Sequence, residues 1–376
     1  MHLVVLDEGC IELHRNAYSN VTWEIIAHLS RGEDVVICGQ NSSDALEVEW
    51  ASDYFSEFVR TKERVKADIL VAHPNQLQAY IDAEQRFLAF NGYKVINGTV
   101  RPDPAGSKET KEKQKAVLRI IRELCSRIFS YNRFLAGKTL KCVKSRQYEY
   151  VEVENVPNWG GKQFFGKLGA DYCLYCNFGE VFWGPISRQK NGKEQVAELH
   201  TGFDHYFTKC EHPYLGISIY NLIAACDTCN SHLKTQTFFS VEKHAHPYVN
   251  DFHSLMCFET NFKKLRDFEA LGAKMPLWLN RRGKIPEEIL AENLANDMGI
   301  LSIYRLSAKD EVSHVVRAMD QRLSDFADYK VKRKDKAWYA SKNVADFCFN
   351  LESSEINRHR FGKLFIDLVE EYELQH

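Results

Sequence analysis

No apolar run in the 376 residues approaches the roughly 20 needed to cross a bilayer, so no membrane span is expected. Residues 1–10 lack a basic stretch and reach acid at Asp7 and Glu8, so no secretory leader is expected. Neither sign of charge is in excess: 49 Lys+Arg against 51 Asp+Glu leave a formal net charge of −2. That balance argues against a uniformly basic nucleic-acid coat, but it is an average and hides local patches. The sequence has no internal repeat, no long low-complexity tract and no glycine-rich phosphate-binding fingerprint. Without a leader, and at this length, its 11 cysteines do not read as a disulfide scaffold. The expectation is a cytoplasmic protein with buried thiols, and spacing must decide whether any of them hold a metal.

What is present is ordinary globular material: 44% hydrophobic, 27% charged and 12% aromatic residues. The length suits two or three folded units. An α+β multidomain chain is expected. Over residues 1–100, short apolar runs at 4–6, 35–38, 68–72 and 93–96 alternate with helical spacing at 21–29, 45–65 and 76–90. This pattern predicts an N-terminal α/β, Rossmann-like domain with a small parallel sheet, serving as a specificity or partner module. Asp7 and Glu8 then follow the first strand, where α/β domains often place ligand residues.

Charge shifts sharply at 101. Residues 1–100 carry a net −7 and residues 101–150 a net +8. The break falls at Arg101-Pro102-Asp103-Pro104-Ala105-Gly106, which reads as a linker. Residues 101–164 are expected to hold a long helix over 111–135 and then strand over 139–156. Val117, Leu118, Ile121, Leu124 and Ile128 form the apolar face of the helix, and Lys115, Arg119, Arg122 and Arg127 lie on the other. That basic face is either a solvated surface or a stripe that contacts phosphates, with Lys115, Arg119 and Arg122 as candidate nucleic-acid contacts. A second basic run, Lys330 to Lys336 beside Trp338 and Tyr339, is open to the same two readings. Residues 251–376 read as mainly helical, most clearly at 285–295, 312–326 and 356–372.

The segment from 165 to 250 carries the chemistry. Cys173-Leu174-Tyr175-Cys176 and Cys226-Asp227-Thr228-Cys229 are two CxxC turns separated by residues 177–225. Two such turns supply four thiolates, the donor set of a structural zinc site. Around the second turn lie Asp204-His205, Asn221-Leu222-Ile223 and Asn230, and Lys234 follows one helical turn after Asn230.

Over about 170–250 this constellation resembles the HNH endonuclease family, which has a ββα-metal fold. It is similar to bacterial HNH proteins, the nuclease subunit of the Septu anti-phage system among them. The resemblance implies that His205 is the general base for phosphodiester hydrolysis and that Asn221 orients its ring or fixes its loop. It implies that Asp204 and Asn230 hold a catalytic Mg²⁺ or Mn²⁺. Lys234 is expected to face the same phosphate. Cys173, Cys176, Cys226 and Cys229 would bind a structural zinc away from the substrate. The expected partner is nucleic acid, DNA in the first instance, with an ATPase or sensor protein as a regulatory partner in anti-phage defence. The alternative is a catalytically silent, zinc-stabilised module that binds nucleic acid or protein. His200, Cys210, His212 and His232 lie nearby without being required by the family pattern, and His246 reads as a packing residue. The long stretch between the CxxC turns leaves room for a hairpin that touches substrate or partner.

Overall fold

The computed structural model describes residues 3–37, 40–42, 47–48, 50–138, 142–144, 159–190, 193–235, 237–260, 277–307 and 353–375. The expected strand over 145–156, the helix over 312–326 and the basic run 330–336 lie outside the described residues.

The chain begins with a long helix, α1 (Glu8–Ser30). Asp7 is its N-cap: one carboxylate oxygen accepts the backbone N–H of Cys10 at 2.6 Å. Glu8 complements the helix dipole in the first turn. The two acids placed at a ligand position by the sequence pattern therefore start a helix instead. Two further helices, α2 (Ala51–Val65) and α3 (Pro74–Phe90), pack around a core that includes Ile25, Ile26, Leu29, Phe55, Leu77 and Tyr80. Pro74 opens α3 at a position where its missing N–H costs nothing.

The strands depart from the expected parallel sheet. Residues 4–6 and 68–72 form no strand. At 68–71 the cause is local: Asp68 turns back to accept the N–H of its own neighbour Leu70 at 3.0 Å and the Trp23 indole at 2.9 Å. Ile69 and Leu70 are fully buried, so the apolar run fills the core as a turn. Strand β1 (Val35–Ile37) does form, between β2 (Gln40–Asn41) and β5 (Cys142–Lys144), and both pairings are antiparallel. Strands β3 (Tyr93–Ile96) and β4 (Thr99–Pro102) make a hairpin, so the presumed linker begins as strand. Every pairing between the described strands is antiparallel.

The basic helix is α4 (Lys108–Ile128), capped by Ser107. Leu118, Ile121, Leu124 and Ile128 are buried along it as the periodicity predicted, with Cys125 beside them. The helix stops at Phe129–Ser130, and a short α5 (Tyr131–Leu135) follows. After α6 (Gly161–Leu168) come two hairpins: β6 (Trp183–Lys190) with β7 (Lys193–His200), and β8 (Phe203–His205) with β9 (Leu222–Ala224).

The later segments mix helix and strand. Strands β10 (Met256–Thr260) and β11 (Leu277–Arg281) pair within the region expected to be helical. They are joined by α7 (Phe252–Leu255), α8 (Pro286–Asp297), α9 (Ile300–Ser307) and α10 (Gly362–Gln375). Among the described residues no helix is long and apolar enough to cross a membrane.

Candidate functional site

The four cysteines converge. The sulfurs of Cys173, Cys176, Cys226 and Cys229 lie within 4.8 Å of one another, and all four residues are buried. A tetrahedron with Zn–S bonds of about 2.3 Å has edges of about 3.8 Å. The Cys176 and Cys226 sulfurs are 3.9 Å apart, so the cluster has the dimensions of a structural zinc site. Protons are awkward in such a space. Burial pushes the Cys173 thiol well up, while hydrogen bonds from the other three sulfurs hold Cys226 far down. A cation resolves that conflict by accepting four thiolates together.

Local backbone geometry makes the cluster possible. The Cys173 N–H donates to Gly179 O at 2.9 Å, folding the first knuckle back on itself. A Cβ at Gly179 would lie 2.5 Å from Cys226 Cβ and 2.6 Å from its sulfur, so only glycine fits. The knuckle also anchors the end of the described chain. Asn177, in the left-handed region with φ 51°, donates from its side chain to Ile356 O at 2.8 Å. The N–H of Lys363 donates back to Asn177 Oδ1 at 3.1 Å, and the Tyr304 hydroxyl donates to Cys176 O at 2.8 Å.

Leu174 N–H donates to Ala224 O at 3.0 Å, which fastens the knuckle to the β8–β9 hairpin. That hairpin pairs Asp204 with Ile223 and His205 with Leu222, and a wide π-type helical turn over Thr228–Lys234 follows. The order is strand, strand, helical turn.

Asp204 is nearly buried and holds two donors on one oxygen. The Tyr175 hydroxyl donates to Oδ2 at 2.7 Å, and the Lys234 ammonium to the same atom at 2.6 Å. Lys234 also donates to the His205 carbonyl. Burial lowers the Lys234 pKa and the Asp204 charge opposes that. Lys234 is therefore not the free cation expected to face a phosphate: it is committed to Asp204.

His205 is buried against the Tyr131 ring, with centroids 4.7 Å apart. Its Nε2 lies 3.0 Å from Gly216 O. A carbonyl only accepts, so Nε2 carries the proton and Nδ1 keeps the lone pair. Burial, and then the nearby Lys209 charge, pushes the His205 pKa down to about 4, so the ring is neutral at pH 7. Position 216 has room only for glycine: a Cβ there would lie 2.7 Å from Phe129 O.

Asn221 shapes the loop between them. It is fully buried, accepts the Phe207 N–H at 2.6 Å and donates to Phe207 O at 3.1 Å and Leu215 O at 3.0 Å. All three bonds lie between His205 and Gly216, so Asn221 fixes the loop and does not touch the imidazole itself.

Asp204, His205, Asn230 and Lys234 line one open cleft of about 400 Å³, together with Tyr131, His200, Thr208 and Lys209. Of the basic candidates on α4, Lys115 pairs with Glu112 at 2.9 Å, Arg119 is exposed, and Arg122 pairs with Glu211 at 2.5 Å. Arg122 lines a second hollow, which shares Tyr131, Lys209 and Cys210 with the cleft.

The other nearby histidines stay out of the cysteine cluster. His212 is buried beside Glu84 and Tyr214, His232 is exposed, and His246 packs on the Tyr206 ring at 4.3 Å. Sequence reasoning missed Tyr131, Tyr175, Lys209 and Gly216. Tyr131 and Gly216 reach His205 only through tertiary packing, whereas Tyr175 stood inside the first CxxC turn as a visible candidate. No family model, no curated protein and no solved structure matches this chain.

Proposed function

We propose that the chain is a metal-dependent endonuclease of the HNH type, hydrolysing phosphodiester bonds in nucleic acid, DNA in the first instance. The observation that carries this reading is one cleft that gathers Asp204, His205 and Asn230 on a strand–strand–turn unit seated over four clustered cysteines.

The chemistry follows from the groups present. The neutral His205 ring, anchored through Nε2, keeps a lone pair on Nδ1 with which to take a proton from an attacking water. Asn221 is a positioning residue, because it sets the loop whose Gly216 carbonyl anchors that ring. A hard cation takes oxygen ligands and keeps several waters. The two bonds on Asp204 both fall on Oδ2, which leaves Oδ1 for a cation, and Asn230 offers an amide oxygen in the same cleft. This donor set fits Mg²⁺ or Mn²⁺, which when bound stabilises charge on the leaving oxygen. The cysteine site is consistent with structural zinc and takes no part in bond cleavage. The resemblance to HNH proteins supports a place in bacterial anti-phage defence beside a regulatory ATPase or sensor.

The deciding experiment is plasmid cleavage with Mg²⁺ or Mn²⁺, comparing the wild type with His205→Ala. Nicking by the wild type and its loss in the variant are expected; equal activity in the two rules the mechanism out. One observation favours a second reading: the Lys234 ammonium already neutralises Asp204. On that reading the chain is a silent binding module. Tight, metal-independent nucleic-acid binding without turnover, alone or with a co-expressed neighbour, would support it.

A further inference from the structure

A backbone phosphate is met by lysine, arginine or neutral donors, and its charge is best matched by a cation with no acid already on it. Lys234 is committed to Asp204 and does not qualify. Among the described residues that line the cleft, Lys209 is the other permanent cation.

Lys209 sits at the corner of a turn. The N–H of Glu211 donates to Thr208 O at 3.1 Å and that of His212 to the same oxygen at 2.9 Å, which leaves Lys209 and Cys210 exposed at the tip. Both ends of the turn are braced. Asn221 holds the two backbone groups of Phe207 before it, and His212 after it is buried beside Glu84 and Tyr214. The Lys209 ammonium lies over the Tyr131 ring, 4.6 Å from its centroid, and the His205 ring packs on the same tyrosine. A ring face attracts an ammonium without cancelling its charge, so Lys209 keeps donors for an anion. Among the described residues no carboxylate pairs with Lys209, in contrast to Arg122 and Lys234.

Lys209 also lines the second hollow, of about 260 Å³, which meets the cleft at Tyr131, Lys209 and Cys210. The other polar walls of that hollow are Arg122 and Ser126 on α4, Ser130 at the break, and Asn132 on α5. No carboxylate is among its lining residues. Two adjoining hollows with a cation on their shared rim suit successive phosphates of one strand.

We infer that Lys209 holds a backbone phosphate of the strand being cut, and that this strand runs from the cleft past Lys209 into the hollow walled by α4. The inference rests on the nuclease reading and names where its substrate lies. Lys209 takes the phosphate contact expected of Lys234, and the hydroxyls and amide of Ser126, Ser130 and Asn132 offer neutral donors to the next linkage.

The test is fluorescence anisotropy with a 30-base-pair DNA duplex and no added divalent cation. Lys209→Gln is expected to bind more weakly and to lower the slope of log affinity against log salt by about 1, and Lys209→Arg to keep the slope. Ser126→Asp, which puts a carboxylate into the hollow, should weaken binding with Lys209 intact. Lys94→Gln is the control: its hairpin packs on the first half of α4, where the Gln114 side chain donates to Gly92 O at 3.1 Å, and it should bind as the wild type does. Melting temperatures equal to that of the wild type separate lost contacts from lost folding. Wild-type affinity and slope in Lys209→Gln, wild-type affinity in Ser126→Asp, equal weakening in Lys94→Gln, or a wild type with no measurable affinity each overturn the inference. Nicking that is lost in His205→Ala would leave the nuclease reading standing in those cases. A protein that binds DNA through Lys209 but never cuts it with Mg²⁺ or Mn²⁺ contradicts the nuclease reading and supports the phosphate contact.

Discussion

The Lys234 ammonium lies 2.6 Å from Asp204 Oδ2, and the two side chains are almost entirely out of water. The pair joins the end of the helical turn to the first strand of the hairpin, across the cleft that also holds His205. A buried pair is costly to break from one side, because the surviving charge is left without a partner. Lys234→Met is therefore expected to destabilise the protein by about 3–5 kcal/mol. Adding Asp204→Asn should recover part of the loss, and a double-mutant cycle by urea unfolding measures it.

The cysteine cluster should bind one metal per chain. Elemental analysis of the wild type is expected to find about one zinc. Cys226→Ser should lose it and melt at a lower temperature. Gly179→Ala should also lower metal content, since its Cβ would collide with Cys226. Because Asn177 holds residues 356 and 363, metal loss should expose the segment 353–375 to protease, which mass spectrometry can locate.

Asn221 makes three side-chain hydrogen bonds in a fully buried place. Asn221→Ala removes the side-chain partner of the Phe207 N–H and of Phe207 O, while Leu215 O keeps the Ser218 N–H at 3.3 Å, at about 1–3 kcal/mol for each group left unsatisfied. A loss of several kcal/mol is expected in denaturant titration. If the loop is the device that anchors His205, cleavage should fall through kcat more than KM under conditions where the variant is still folded.

Two buried histidines away from the cleft make stability depend on pH. Burial lowers the pKa of His14 to about 4 and that of His246 to about 3. The His14 ring donates through Nε2 to Ile217 O at 2.7 Å and accepts the Trp159 indole N–H on Nδ1 at 3.3 Å. A second ring proton would face that N–H. The unfolded chain takes up these protons near pH 6.5, above the folded values, so it binds more protons in between. Stability is therefore complete above about pH 6.5 and falls as the pH drops toward 4. Melting temperatures from pH 7.5 to 4.5 should decline, and less steeply in His14→Gln.

Local patterns were legible in the sequence. The helical periodicity of α4 marked Leu118, Ile121, Leu124 and Ile128 as its buried side, and the two CxxC turns marked the four sulfurs that now cluster. The grouping of Asp204, His205 and Asn230 could be read from a short stretch because a hairpin and one helical turn suffice to bring them together.

What the sequence by itself determined was thus what short-range geometry controls: helix faces and knuckle spacing. Tertiary structure decided the rest. It seated the turn at 69–70 in the core, because the Trp23 indole of α1 holds Asp68 from 45 residues away. It set Tyr131 and the Gly216 carbonyl on His205, and it withdrew Lys234 from solvent onto Asp204. Whether a lysine meets water, a phosphate or a buried carboxylate depends on what packs over it, and that is settled by residues far away in the chain.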